Sequence, residues 1–167
     1  MKGPKEETIL IIDDEESNRT ILTNIFEPEY GIIAAADGLE GLAVIREHAD
    51  ILSAILLDVI MPQLNGIEVL RELRAMGLLD RIPVFLITAD AAGSTMREAY
   101  ELGVMDVILK PVVPYMVRRR VNSVVELFRS RHALGAEVER QRDQLLLQAR
   151  QLADMGRGMV ESLATAI

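Results

Sequence analysis

A chain of 167 residues has room for one domain of ordinary size and a modest extension. Half of the residues are hydrophobic but only 4% are aromatic and Trp is absent, so a core must be built from Ile, Leu, Val, Ala and Met. The absence of cysteine excludes disulfides, thiolate metal sites and cysteine nucleophiles, and a net charge of −8 argues against general binding to a phosphate backbone.

Residues 1–7 read as a polar tail, and MKGPKEET lacks the apolar stretch of a signal peptide. No run approaches the length of a membrane span, so no membrane association is expected and the cytoplasm is the expected compartment. After the tail, Thr8–Ile12 is a first apolar run. Ser17–Phe26 follows with helical spacing: Ile21, Leu22 and Ile25 share a face and Ser17 is the expected N-cap. Gly31–Ala35 is a weaker strand candidate, Asp37-Gly38 a turn, and Leu39–His48 a second helix. His48, near a helix end, reads as a surface residue favoured there by the helix dipole.

Ile51–Leu57 is the third strand and Gly66–Met76 the third helix, with Gly77 placed to stop it. Pro83 opens the run Val84–Thr88, where a missing N–H is tolerated. Gly93–Leu102 is a fourth helix stopped at Gly103, and Val104–Leu109 a fifth strand. Pro114 suits the first turn of a fifth helix running from about Tyr115 through Arg129. The near-unbroken apolar runs are those of strands buried on both faces. Their alternation with helices predicts an α/β domain, a parallel sheet with right-handed crossovers, over residues 8–130.

Residues 131–167 contain no proline and read as further helix. Leu127, Leu134, Val138, Leu145, Leu152, Met155 and Met159 recur at heptad core positions, which predicts a coiled coil and a homodimer. Arg131, Gln141 and Gln148 interrupt that seam, and Gly156 and Gly158 loosen its end. Charge divides along the chain. Residues 1–111 hold 9 basic and 20 acidic side chains, a balance of −11, and residues 112–167 hold 9 and 6, a balance of +3. Arg118-Arg119-Arg120 is read as a solvated helix face, and no direct nucleic-acid binding is expected.

Chemistry concentrates at strand ends. Asp13-Asp14 closes the first strand, Asp58 the third, Thr88 the fourth and Lys110-Pro111 the fifth. In an open parallel sheet the loops beyond the carboxyl ends of the strands form the ligand crevice, so these groups converge. Clustered carboxylates resist joint ionisation, and a hard divalent cation relieves them: Mg²⁺, with Mn²⁺ as the alternative. A carboxylate can also attack a phosphoryl group. Such a transfer needs positioning and charge neutralisation, to which Lys110 and the Thr88 hydroxyl can contribute. Taken singly, each residue has a plainer reading. Asp13-Asp14 suit a helix cap, Asp58 a loop, Thr88 a strand and Lys110 a surface. Their co-location outweighs those readings.

The pieces ILIIDDEESNR, ILLDVIMPQLNGIEVL, PVFLITAD and VMDVILKP make residues 8–129 resemble the receiver domain of two-component response regulators. The resemblance implies a flavodoxin-like fold, with a five-stranded parallel sheet in order 2-1-3-4-5 flanked by five helices. It further implies Asp58 as phosphoacceptor, Asp14 as a direct metal ligand, and Asp13 as one acting mainly through water. Asp58 and the main-chain carbonyl of Ile60 would complete the protein ligands. Thr88 is then the switch hydroxyl, Lys110 its partner at the phosphoryl group, and Lys110-Pro111 a cis peptide. The expected partner is a sensor histidine kinase or a phosphotransfer protein.

Two positions depart from the pattern or bear on its kinetics. Val107 stands where the family usually has Tyr or Phe, which puts Thr–aromatic coupling in doubt and shifts attention to the Ala89–Gly93 loop and the fourth helix. Ile60 is apolar and cannot orient an attacking water, so slow self-dephosphorylation is expected. It also occupies the place of the acid/base residue of phosphatases that use an aspartyl-phosphate, which disfavours an enzyme of that class.

QLADMGRGMVESLATAI is similar to the helical connector that precedes HD-type phosphodiesterase domains in some response regulators. That resemblance implies a piece cut just before an output domain acting on a cyclic dinucleotide. The competing expectation is a complete receiver with a coiled-coil scaffold and no enzymatic output.

Overall fold

A computed structural model describes residues 7–89 and 92–166. Ten elements follow one another: β1 (Thr8–Ile12), α1 (Glu16–Phe26), β2 (Gly31–Ala35), α2 (Gly38–His48), β3 (Leu52–Leu57), α3 (Gly66–Ala75), β4 (Val84–Thr88), α4 (Gly93–Leu102), β5 (Asp106–Leu109) and α5 (Pro114–Thr165). The five strands form one parallel sheet in the order β2-β1-β3-β4-β5. This is the flavodoxin-like arrangement expected from the sequence.

The period-2 alternation of a strand sorts side chains onto the two faces of the sheet. Leu10, Ile12, Ile55, Leu57, Leu86 and Val107 point one way and pack with Leu42 and Ile45 of α2, Leu70 and Leu73 of α3, and Ala99 of α4. Ile9, Ile11, Leu56, Phe85, Ile87 and Ile108 point the other way, against Leu22, Ile25 and Phe26 of α1 and Val117, Val121 and Val125 of α5. Because helices cover both faces, β1 and β4 are buried at every position. β2 is the least buried strand because it lies at the sheet edge, and its sequence signal is correspondingly weaker.

Several boundaries differ from the sequence expectation, each for a local reason. Ser17 does not cap α1. The helix opens at Glu16, which puts Ser17 inside its first turn; the cap position is Glu15, whose carboxylate accepts from the Asn18 side chain rather than from a helix N–H, while its own N–H goes to Asp13 at 2.9 Å. Asp37 is the N-cap of α2 rather than a free turn, its carboxylate accepting from Glu40 N at 2.8 Å. β5 opens at Asp106, since Val104 N–H still bonds the Ala99 carbonyl, closing α4 around the left-handed Gly103 (φ 111).

The fifth helix and the further helix expected after it are one helix, Pro114–Thr165, which Gly156 and Gly158 do not break. The chain divides into two compact units, one ending at Phe128 and the other beginning at Arg129. In the second unit every described residue, 129–166, is exposed, including Leu134, Val138, Leu145, Leu152, Met155 and Met159. No helix among the described residues is long and apolar enough to cross a membrane.

Candidate functional site: an acidic cluster at the strand ends

Sheet register brings the site together. Ile12 pairs with Leu57, so the next residues, Asp13 and Asp58, emerge side by side, and Asp58 N–H bonds the Ile12 carbonyl at 2.9 Å. Thr88 pairs with Leu109, which sets Lys110 beyond the end of β5, its N–H on the Thr88 carbonyl at 2.9 Å. Thr88 itself is buried, and the Lys110–Pro111 peptide is cis.

One carboxylate oxygen each from Asp13, Asp14 and Asp58 fall within 4.8 Å of one another. Lys110 Nζ reaches into this group, 2.8 Å from Asp13 Oδ2 and 3.3 Å from Asp58 Oδ2. Asp13 is buried, and its Oδ1 also accepts from Glu15 N and from Asn18 Nδ2. Asp58 Oδ1 takes the N–H of Val59 at 2.8 Å. Asp14 is exposed. The one ammonium leaves the three carboxylates short of neutrality, and an all-oxygen donor set of this charge suits a hard divalent cation.

Electrostatics carry the same message. Burial, the largest influence, pushes the Asp58 carboxyl above its ordinary pKa; the Lys110 charge opposes this and the Asp13 charge adds to it. Burial works to lower the Lys110 pKa, but its hydrogen bond to Asp13 and the charges of Asp58 and Asp13 outweigh it and hold the amine above its usual value.

The segment after Asp58 is held by packing and capping. Gly66 N–H bonds the Val59 carbonyl at 2.9 Å, and a Cβ on Gly66 would lie 2.2 Å from the Asp58 carbonyl oxygen. Only glycine allows this approach. Asn65 and Glu68 then form a reciprocal capping box that starts α3. The side chain of Ile60 is 61% exposed, beside the cluster in sequence but outside the core.

The sequence-predicted residues Asp13, Asp14, Asp58 and Lys110 therefore meet in space. Val107 lies buried in the apolar layer on the α2–α3–α4 face as part of the core. Of the Ala89–Gly93 loop, residues 90 and 91 lie outside the described residues. One participant had no role assigned from the sequence, although it closes the piece ILIIDDEESNR. Arg19 of α1 donates from a single nitrogen, Nη1, to the main-chain carbonyls of Asp13 (2.8 Å) and Asp14 (3.0 Å).

A doubly wound five-stranded sheet with an acidic cluster at its carboxyl edge is the arrangement that the resemblance to receiver domains implied. The family model of the response regulator receiver domain matches residues 9–122, and the chain belongs to that family, the receivers of two-component systems. A probable transcriptional regulator (ycf27) of Porphyridium aerugineum is 39% identical over 123 residues, 72% of this chain and 49% of that protein. The cyclic di-GMP phosphodiesterase response regulator RpfG of Xanthomonas campestris is 30% identical over 162 residues, 95% of this chain and 42% of that protein. The chain thus spans about half or less of the length of these relatives. Among solved structures, the CheX-CheY-BeF3-Mg complex of Borrelia burgdorferi matches with a TM-score of 0.66 at 29% identity, covering 71% of this chain and 88% of that one.

Proposed function

We propose that residues 8–130 form a receiver that takes a phosphoryl group from a histidine kinase or phosphotransfer protein onto Asp58. The chain acts as a regulatory phosphoacceptor, not as an enzyme. The observation that carries this reading is the convergence of the Asp13, Asp14 and Asp58 oxygens within 4.8 Å of one another, with Lys110 Nζ on Asp13 and Asp58.

Asp14, exposed and beside two committed carboxylates, would hold Mg²⁺ directly together with Asp58 and the Ile60 carbonyl. Asp13, already bonded to Glu15 N, Asn18 and Lys110, would act through water. The bound ion would neutralise charge on the phosphoryl oxygens. Asp58 supplies the nucleophile: a carboxylate oxygen forms the new bond to phosphorus while the bond from phosphorus to the donor's imidazole nitrogen breaks. Lys110 then exchanges its Asp58 contact for a phosphoryl oxygen, and the Thr88 hydroxyl donates to another. With Val107 in the core, the change passes to α4 without an aromatic switch. The apolar, exposed Ile60 offers no hydrogen bond to water, which favours a long-lived acyl phosphate.

Intact mass after incubation with a small phosphodonor tests this, with and without Mg²⁺, on wild type and Asp58→Asn. The expected result is one phosphoryl adduct that requires both the ion and Asp58; an adduct that survives Asp58→Asn would sink the assignment.

Residues 131–167 act as a connector and parallel homodimer seam through Leu134–Met159, with phosphorylation changing the contact between receivers. The exposed apolar heptad supports this, since a helix with no tertiary cover is stabilised by a second copy. The match to RpfG runs across 95% of the chain, while the match to the transcriptional regulator covers 72%. That difference favours an output of the cyclic-dinucleotide phosphodiesterase kind over a DNA-binding one. A receiver–coiled-coil scaffold without enzymatic output is the alternative.

A further inference from the structure

Along a strand, successive carbonyls point to alternating sides. At the end of β1 the carbonyls of Asp13 and Asp14 instead both lie within reach of one nitrogen, Nη1 of Arg19, at 2.8 and 3.0 Å, and the chain bends at Asp14. Arg19 stands in the second turn of α1, whose entry is tied to the same loop by Arg19 N–H on the Glu15 carbonyl and Glu15 N–H on Asp13 Oδ1. The two hydrogens of Nη1 are set at a fixed angle by the planar guanidinium, so two bonds from that nitrogen restrict the orientation of two successive peptide planes. A Cβ direction follows from the two peptide planes that flank it: for Asp14 both carry an Arg19 bond, and for Asp13 one does while the other ends β1. The Asp13 and Asp14 carboxylates depend on those planes for their convergence on Asp58.

We infer that Arg19 is the positioning residue of this loop, holding the Asp13 and Asp14 carboxylates in the arrangement that takes a divalent cation. The inference rests on the reading of the cluster as a cation site. It differs in sign from a purely electrostatic role. A guanidinium near a bound cation repels it, so removing the charge alone would tighten binding. Removing an orienting clamp loosens it, by about tenfold for supports of this kind.

The test is calorimetric titration of Mg²⁺ into wild type, Arg19→Met, Arg19→Lys and Arg118→Met at one ionic strength, with melting temperatures taken in EDTA. Arg118 is the internal control: it makes a similar clamp, from Nε (3.1 Å) and Nη2 (2.7 Å) to the Ile25 carbonyl, but on α1 at the opposite end from the acidic loop. The expected result is a Kd about tenfold higher for Arg19→Met and about threefold higher for Arg19→Lys, whose single ammonium keeps the charge but not the fork. Arg118→Met should bind Mg²⁺ as wild type does, whatever it does to the melting temperature. Unchanged or tighter binding by Arg19→Met overturns the inference while leaving the cation site intact, as does equal weakening by Arg118→Met. If Arg19→Met does not fold, wild-type affinity in Arg19→Lys overturns it. Absence of any Mg²⁺ binding by wild type overturns both the inference and the site reading beneath it.

Discussion

Residues before and after Phe128 use apolar side chains in opposite ways. In the receiver, Ile9, Leu10, Ile11 and Ile12 are fully buried, whereas in the second unit Leu134, Leu145 and Leu152 are each about two-thirds exposed. Both segments have regular backbone structure, but the receiver's is held by packing between layers and that of residues 129–166 by hydrogen bonds within one helix. A helix with no covered face gains little beyond intrinsic propensity. One region therefore carries its own stability, and the other, in the reading proposed above, is covered by a second copy.

The sharpest way to break this contrast is to cut one leucine from each. Leu56→Ala, in the central strand and 1% exposed, should cost about 3 kcal/mol in urea unfolding. Leu146→Ala, 53% exposed, should cost less than about 0.5 kcal/mol. Comparable losses would mean that the second unit carries a core of its own. Gly66→Ala should come close to the larger value, about 2–3 kcal/mol, because its Cβ meets backbone that cannot give way. The same variant should lower the yield of phosphoryl adduct, since it presses on the carbonyl of Asp58 itself.

Leu145→Asp with Leu152→Asp sharpens the comparison from the other side. Light scattering should report a dimer for wild type at micromolar concentration and a monomer for the double variant. Helical ellipticity should fall while the receiver's melting transition stays put. A wild type that is monomeric with and without a phosphoryl mimic removes the proposed seam.

The smallest effect is one of pH. Burial raises the Asp58 pKa in the folded state, so the native protein holds that proton more tightly than the unfolded chain does. Stability on this account is lost as pH rises from the unfolded carboxylate value of 3.8 through the folded one, and the deficit persists at neutral pH. In metal-free buffer Asp58→Asn should therefore melt above wild type at pH 7, with the gap closing toward pH 4. Added Mg²⁺ should raise the melting temperature of wild type and close the gap from the other direction. A variant less stable than wild type at pH 7 in EDTA would show that the lost contact with Lys110 outweighs the relief of burying a charge.

Much of this was legible in the residues. The near-unbroken apolar runs at β1, β3 and β4 pointed to a doubly covered parallel sheet, because strands buried on both faces lack polar alternation. The acidic and basic residues at the strand ends specified the crevice, because parallel strands present all their carboxyl ends on one side. Tertiary structure decided what depends on distance across the sheet. It set Ile12 opposite Leu57, and with it the nearness of Asp13 and Asp58. It gave the Glu15 N–H to Asp13, opened α1 one residue before Ser17, and brought Gly66 against the Asp58 carbonyl. Arg19 is the clearest case. It closes the piece ILIIDDEESNR, yet a bond to a main-chain carbonyl leaves no partner side chain to read, so its role follows only from where the bend at Asp14 turns two carbonyls.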